Sequence, residues 1–156
     1  MKQALLSFTA VFLTAVTLNV CAQTTEAAKP QTPTSIKNGK VIDTATARKM
    51  AGASDVYLFD LRSPVNYGKG YLPGAKSLPY RENSDYKVDF DASKDQFDLS
   101  ALPADKAAKI VFYSDGPTGW KSYKATALAV KAGYTNVHYY RSGTEDWVKA
   151  GHALAK

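Results

Sequence analysis

Three short, unbroken apolar runs constrain the fold of this chain more than any other feature: VYLF at 56–59, KIVFY at 109–113 and NVHYY at 136–140. A strand with one face in water alternates apolar and polar residues. A run that is β-branched, aromatic and apolar throughout suits a strand covered on both faces, as in a parallel sheet. Between the last two runs lies WKSYKATALAVKAG, which places Ala125, Leu128, Ala129 and Ala132 at i, i+3, i+4 and i+7. Gly133 follows where a helix ends in a left-handed residue. Strand, helix and strand over 109–140 predict a βαβ unit with a right-handed crossover. Two further helices are predicted. TATARKMAGA follows the capping candidates Asp43 and Thr44, and SPVNY has Ser63 as N-cap and Pro64 in the first helical position. The expected class is α/β, with a central, mostly parallel β-sheet flanked by helices.

The start of the chain reads differently. MKQALLSFTAVFLTAVTLNVCAQ has Lys2, an uncharged stretch to Leu18, and Val20 and Ala22 at the −3 and −1 positions of a cut before Gln23. This is the layout of a secretory signal peptide over 1–22, and it makes the protein periplasmic or secreted. The Ser, Thr and Asn content of the stretch argues against a permanent membrane anchor, and the bulky Val20 argues against acylation of Cys21. Cleavage removes Cys21, the one cysteine of the chain, so no disulfide framework supports the rest. Stability then has to come from a packed core. The formal net charge of +6 drops by one with Lys2, and no Lys/Arg cluster accompanies the excess, which argues against a nucleic-acid surface. Residues 23–35, QTTEAAKPQTPTS, read as a flexible linker, and 36–156 as one domain.

Residues 82–103 interrupt the strand–helix rhythm. Asp89, Asp91, Ser93 and Asp95 alternate as in a calcium loop, but the sixth and twelfth positions hold Lys94 and Ser100 instead of glycine and glutamate. The segment reads as a solvated acidic excursion, and no metal site or cofactor is expected.

The candidate site is FYSDGPTGWKSYKA, 112–125, where an apolar strand gives way to a glycine-bearing turn and then a helix. In open α/β sheets ligands bind beyond the carboxyl ends of the strands. N–H groups at a helix N-terminus lack internal partners and favour an anion. Gly116 and Gly119 let such groups converge, and Lys121 adds charge. Ser114, Asp115, Gly116, Pro117, Thr118, Gly119, Trp120 and Lys121 could thus hold a sulfur oxyanion, a phosphate or a carboxylate, or simply join strand to helix. Trp120 could close the loop over a ligand or anchor the helix. Acyl transfer at Ser114 would need a base, and the only histidines are His138, inside a predicted strand, and His152, at the C-terminus. Asp60 and Arg62 suit an ion pair that holds the structure, and Trp147 suits the core. The tyrosines Tyr113, Tyr123, Tyr139 and Tyr140 suit a core or a binding rim.

Further motifs carry a resemblance. The stretch DVYLFDLRSPVNYGKGYLPGAKSLP at 55–79 holds Asp60-Leu61-Arg62-Ser63-Pro64, then Tyr67, then Gly70-Tyr71-Leu72-Pro73-Gly74-Ala75. Near the end stand Gly143, Trp147 and Gly151. In order and spacing these resemble the signature of rhodanese-family domains, across 36–154. The resemblance implies sulfurtransferase chemistry, in which a cysteine after the central strand takes sulfane sulfur from a donor such as thiosulfate and passes it on. Here the matching position is Ser114. Beside a Cys-x-Gly-Pro-x-Cys-Trp pattern of some relatives, Ser-Asp-Gly-Pro-Thr-Gly-Trp lacks sulfur at both Ser114 and Gly119. A hydroxyl has no thiolate-like ionised fraction. The expectation is therefore a catalytically silent domain that keeps an anion- or partner-binding loop. The alternative is transfer that uses a thiol supplied by a substrate or partner.

Overall fold

The computed structural model describes residues 28–156; the expected leader, Cys21 and the first residues of the linker lie outside that range. Five strands form a single sheet: β1 (Lys40–Val41), β2 (Val56–Asp60), β3 (Lys76–Ser77), β4 (Lys109–Tyr113) and β5 (Val137–Tyr140). Their order is β1-β5-β4-β2-β3, and every pairing is parallel. The three apolar runs are the three inner strands. β4 is the middle one, with Phe112 in register with Phe59 on one side and Tyr139 on the other.

Both faces of the sheet are covered, as continuous apolar strands require. On one face Phe59, Ile110, Phe112 and Val137 pack with Ala125 and Ala129 of α3 (Trp120–Lys131). On the other, Leu58, Val111, Tyr113 and Tyr140 pack with Ala47 of α1 (Thr44–Met50) and with Trp147 of α4 (Gly143–Lys149). Ile110, Val111, Phe112 and Tyr113 are all fully buried. Burial of each large apolar side chain contributes about 1.5–3 kcal/mol, so β4 is the mechanical centre of the domain. Local signals set the ends of the helices. Asp43 caps α1 by accepting the N–H of Thr46 at 2.8 Å. Ser63 accepts the N–H of Asn66 at the start of α2 (Pro64–Gly68), whose first residue is Pro64. Gly133 ends α3 with φ of 91°.

The segment 82–103 is mostly exposed, as the sequence reading expects, but it is tied down through Ser84 and the side chain of Asp95, which are shielded from water. The Asp95 side chain is only 1% exposed and accepts hydrogen bonds from Tyr80 Oη (2.7 Å), the Asn83 and Ser84 N–H groups (2.6 and 2.7 Å) and Ser84 Oγ (2.7 Å). Lys124, on α3 and fully buried, donates to Ser84 O at 3.1 Å and Ser84 Oγ at 2.8 Å and lies 3.5 Å from Asp95. The excursion is thus pinned to α3 by a buried charge pair. Asp91 is used differently, capping a 3₁₀ turn at Ala92–Lys94.

Acid sensitivity follows. Burial alone would raise the Asp95 pKa, but the hydrogen bonds from Ser84, Tyr80 and Asn83 outweigh it and hold the group at about 2. A carboxyl depressed on folding gives stability that is complete above its unfolded pKa of about 3.9, and that stability is lost as pH falls through the folded value; here the loss is about 2 kcal/mol between pH 4 and 2. Burial also lowers the pKa of His138, whose Nδ1 has no hydrogen-bond partner. Its contribution has the same sign and starts to fall below about pH 6.5. Urea midpoints measured from pH 7 to pH 2.5 should decline throughout. The Asp95→Asn variant should lose most of the decline below pH 4.

Candidate ligand loop and cleft

Ser114 stands at the carboxyl end of β4, one residue before the loop that leads into α3. Its side chain is turned inward and only 1% exposed. Ser114 Oγ donates to Gly119 O at 3.2 Å and shares a hydrogen bond with Ser122 Oγ at 3.0 Å. Gly119 makes this orientation possible, because a Cβ there would collide with Ser114 Oγ and sit 2.8 Å from Gly116 O. Within the loop, the N–H of Gly119 donates to Gly116 O (2.8 Å) and that of Trp120 to Thr118 O (3.1 Å). Two of the N–H groups expected to converge on a ligand are therefore engaged by the loop itself.

The loop carbonyls also have partners. Gly143, with φ of 57°, brings the start of α4 against the loop in a conformation that strains other residues. Thr144 N–H then donates to Ser114 O at 3.1 Å and Glu145 N–H to Asp115 O at 2.9 Å. The Glu145 carboxylate packs on the Cα of Gly116, so that flank of the loop carries negative charge.

The structure corrects the linker reading at residues 29–32. Thr32 is buried, and its N–H and hydroxyl both donate to Pro117 O, at 2.8 and 2.9 Å. Tyr139 Oη donates to Thr32 Oγ1 at 2.8 Å, and the Arg141 guanidinium donates to Thr32 O at 2.9 and 3.1 Å. The Trp120 indole N–H reaches Pro30 O at 2.8 Å, while its ring packs edge-on against Tyr123. Residues 29–32 are a strap across the loop, and Trp120 anchors it. Composition hid this, since a proline-bearing polar segment can dock through its carbonyls without any apolar pattern.

On the other flank of the loop lies a cleft of about 380 Å³, lined by Lys29, Ser63, Pro64, Pro79, Tyr80, Arg81, Glu82, Tyr86 and Lys121. Of the loop residues singled out in the sequence, Lys121 is the one that faces it. Asp60 and Arg62 form a buried pair beneath. Arg62 Nε donates to both Asp60 carboxylate oxygens, at 2.9 and 3.1 Å, and Nη2 donates to Gly70 O at 2.7 Å. Tyr113 Oη donates to Asp60 Oδ2 at 2.8 Å and accepts the N–H of Leu72 at 3.1 Å. Burial and the adjacent Asp60 charge push the Tyr113 phenol well above its ordinary pKa, so it stays a donor. The pair joins β2, β4 and the turn after α2, and so fixes the floor under the loop.

Comparison with known proteins agrees with this geometry. Residues 43–150 match the family model of the rhodanese-like domain. The chain is 27% identical over 106 residues to the thiosulfate:glutathione sulfurtransferase of Saccharomyces cerevisiae, covering 67% of this chain and 74% of that protein. It is 28% identical over 105 residues to a sulfurtransferase of Allochromatium vinosum, covering 67% and 83%. A Bacillus halodurans protein of known crystal structure superposes with a TM-score of 0.56 at 21% identity, over 74% of this chain and 76% of that one. A parallel sheet whose middle strand delivers its last residue into a helix-capping loop, together with a match over most of the domain, places this chain in the rhodanese-like family.

Proposed function

We propose that this protein is an exported rhodanese-like domain that does not turn over sulfur by itself and has kept a binding site for a small anion or a partner next to its former nucleophile position. One observation carries the reading. The residue at the end of β4 is Ser114, whose hydroxyl is buried and hydrogen-bonded inward to Gly119 O and Ser122 Oγ. Persulfide formation needs an accessible thiolate, and a serine hydroxyl supplies neither the charge nor the polarisable sulfur. No base stands in for it: His138 lies within β5, and His152 packs edge-on against Trp147 near the C-terminus. The charge on the Lys121 flank supports an anion as the ligand. The leader-like stretch at 1–22 supports export.

A second reading draws on the yeast relative, whose name makes the acceptor a thiol. A bound thiolate could attack the sulfane sulfur of thiosulfate directly. The new sulfur–sulfur bond would form on the acceptor, the thiosulfate sulfur–sulfur bond would break, and sulfite would leave with the electron pair. No enzyme nucleophile enters that step.

Intact-mass analysis of the secreted protein tests the first reading. The expected product begins at or near Gln23 and gains no sulfur on exposure to thiosulfate. A stable sulfur adduct that maps to 112–121 would overturn it.

A further inference from the structure

The cleft beside the loop carries more positive charge than its own acid neutralises. Lys29 comes from the strap, Arg81 follows β3 and Lys121 opens α3, and they face a single acidic side chain, Glu82. Lys29 already engages Glu82 Oε1 at 2.8 Å and lies over the Tyr86 ring, 4.7 Å from its centre. Among the described residues neither Arg81 nor Lys121 has a carboxylate at salt-bridge distance. Behind the cleft, Lys124 lies 3.5 Å from Asp95 and 4.0 Å from Glu82, so Lys29 and Lys124 together offset Glu82 and Asp95. Two cations are therefore left without a counter-charge. Apart from Ser63, the remaining surface is apolar and aromatic, from Pro64, Pro79, Tyr80 and Tyr86. A volume of about 380 Å³ falls in the range of small-molecule sites and exceeds what a bare inorganic oxyanion fills.

We propose that this cleft binds a small organic dianion, its charged group held by Arg81 and Lys121 and its ring or short chain resting on the Tyr86, Pro64 and Pro79 surface. The proposal deepens the anion reading above and rests on it. The site is composite. Lys29, brought in by the strap, holds Glu82 Oε1 at 2.8 Å, beside the more distant Lys124, and so supplies most of the cover for a charge that would otherwise repel the ligand. The strap is thereby part of the binding site as well as a cover for the loop.

Calorimetric titration of the leader-free protein at pH 8 and low salt, with three probes, tests this. Phenyl phosphate carries two charges and a ring, thiosulfate two charges without a ring, and benzenesulfonate one charge with a ring. Phenyl phosphate is expected to bind most tightly. Arg81→Gln, at an exposed position, should weaken it about tenfold, the effect of losing one charge-assisted hydrogen bond. Lys29→Gln should also weaken it, through the uncovered Glu82 charge. Benzenesulfonate binding as tightly as phenyl phosphate would overturn the dianion claim. Thiosulfate and phenyl phosphate binding that is unchanged in Arg81→Gln and Lys121→Gln would move the anion out of the cleft while leaving the broader anion reading intact. Wild-type protein that binds none of the three would remove both.

Discussion

Replacing Asp60 by alanine is expected to lower the stability of the domain by about 3–5 kcal/mol, the effect of stranding a buried charge. Asp60 is fully buried and Arg62 is 6% exposed. The carboxylate receives the Arg62 backbone N–H, both Nε and Nη2 of the same guanidinium, and the Tyr113 hydroxyl. Alanine removes all of these acceptors at once and leaves a guanidinium without a counter-charge under the loop. Domains of this size have total stabilities of about 5–15 kcal/mol, so the variant should sit near its folding threshold. Arg62→Lys should also be clearly destabilising, because an ammonium cannot bridge two carboxylate oxygens and Gly70 O in the same way. Urea unfolding followed by tryptophan fluorescence checks both variants. A midpoint for Asp60→Ala within error of wild type, at unchanged slope, would mean that the pair does not support the site.

The second large effect is expected at Lys124. Its ammonium ties α3 to the 82–95 segment through Ser84, Asp95 and, at 4.0 Å, Glu82, and it has no exposure to water. Lys124→Ala deletes the ammonium and leaves Asp95 buried without its cation, again a loss of about 3–5 kcal/mol. The double variant Lys124→Met/Asp95→Asn should recover part of that loss, since a neutral pair removes the stranded charge. Hydrogen exchange distinguishes this pin from a general core defect. In Lys124→Ala the amides of Asn83 and Ser84, which donate to Asp95, should lose protection more than those of β4. Equal loss across the sheet would contradict a local pin.

The sheet was legible in the sequence because its inner strands have no polar face. The runs at 56–59, 109–113 and 136–140 became β2, β4 and β5, and the caps Asp43 and Ser63 and the C-terminal Gly133 sit where their side-chain chemistry put them. The edge strands β1 and β3 were not legible as separate runs, since each is two exposed residues whose only requirement is a parallel neighbour. Lys124 was hidden for another reason. It sits beside Ala125 on α3 and reaches the 82–95 segment, but a lysine there looks the same whether it reaches water or a buried carboxylate. Asp95 gives no signal either, since it sits among the polar residues Ser93, Lys94 and Gln96 like any exposed aspartate. The strap was missed because the Pro30 and Thr32 carbonyls leave no trace in side-chain type, and a lone threonine hydroxyl in a polar segment looks the same docked or free. The loop itself was visible, and its position at the end of a middle strand follows from the βαβ unit. What the sequence did not specify was that Ser114 turns inward onto Gly119 and Ser122, which depends on the missing Cβ at 119.

These features describe a rhodanese-like domain in which Ser114 is proposed to stand where the family's nucleophile would be. The buried pair Asp60–Arg62 fixes the floor, α4 and the strap hold the loop from two sides, and the cleft keeps its positive charge. The most direct measurement is steady-state sulfur transfer from thiosulfate to cyanide, and separately to glutathione, by purified wild-type protein beside the Ser114→Cys variant. The expected result is wild-type rates equal to a protein-free blank with both acceptors, and a rate above the blank in Ser114→Cys. Wild-type turnover above the blank with either acceptor would contradict it, and turnover with glutathione alone would point to direct transfer between bound thiosulfate and a bound thiol.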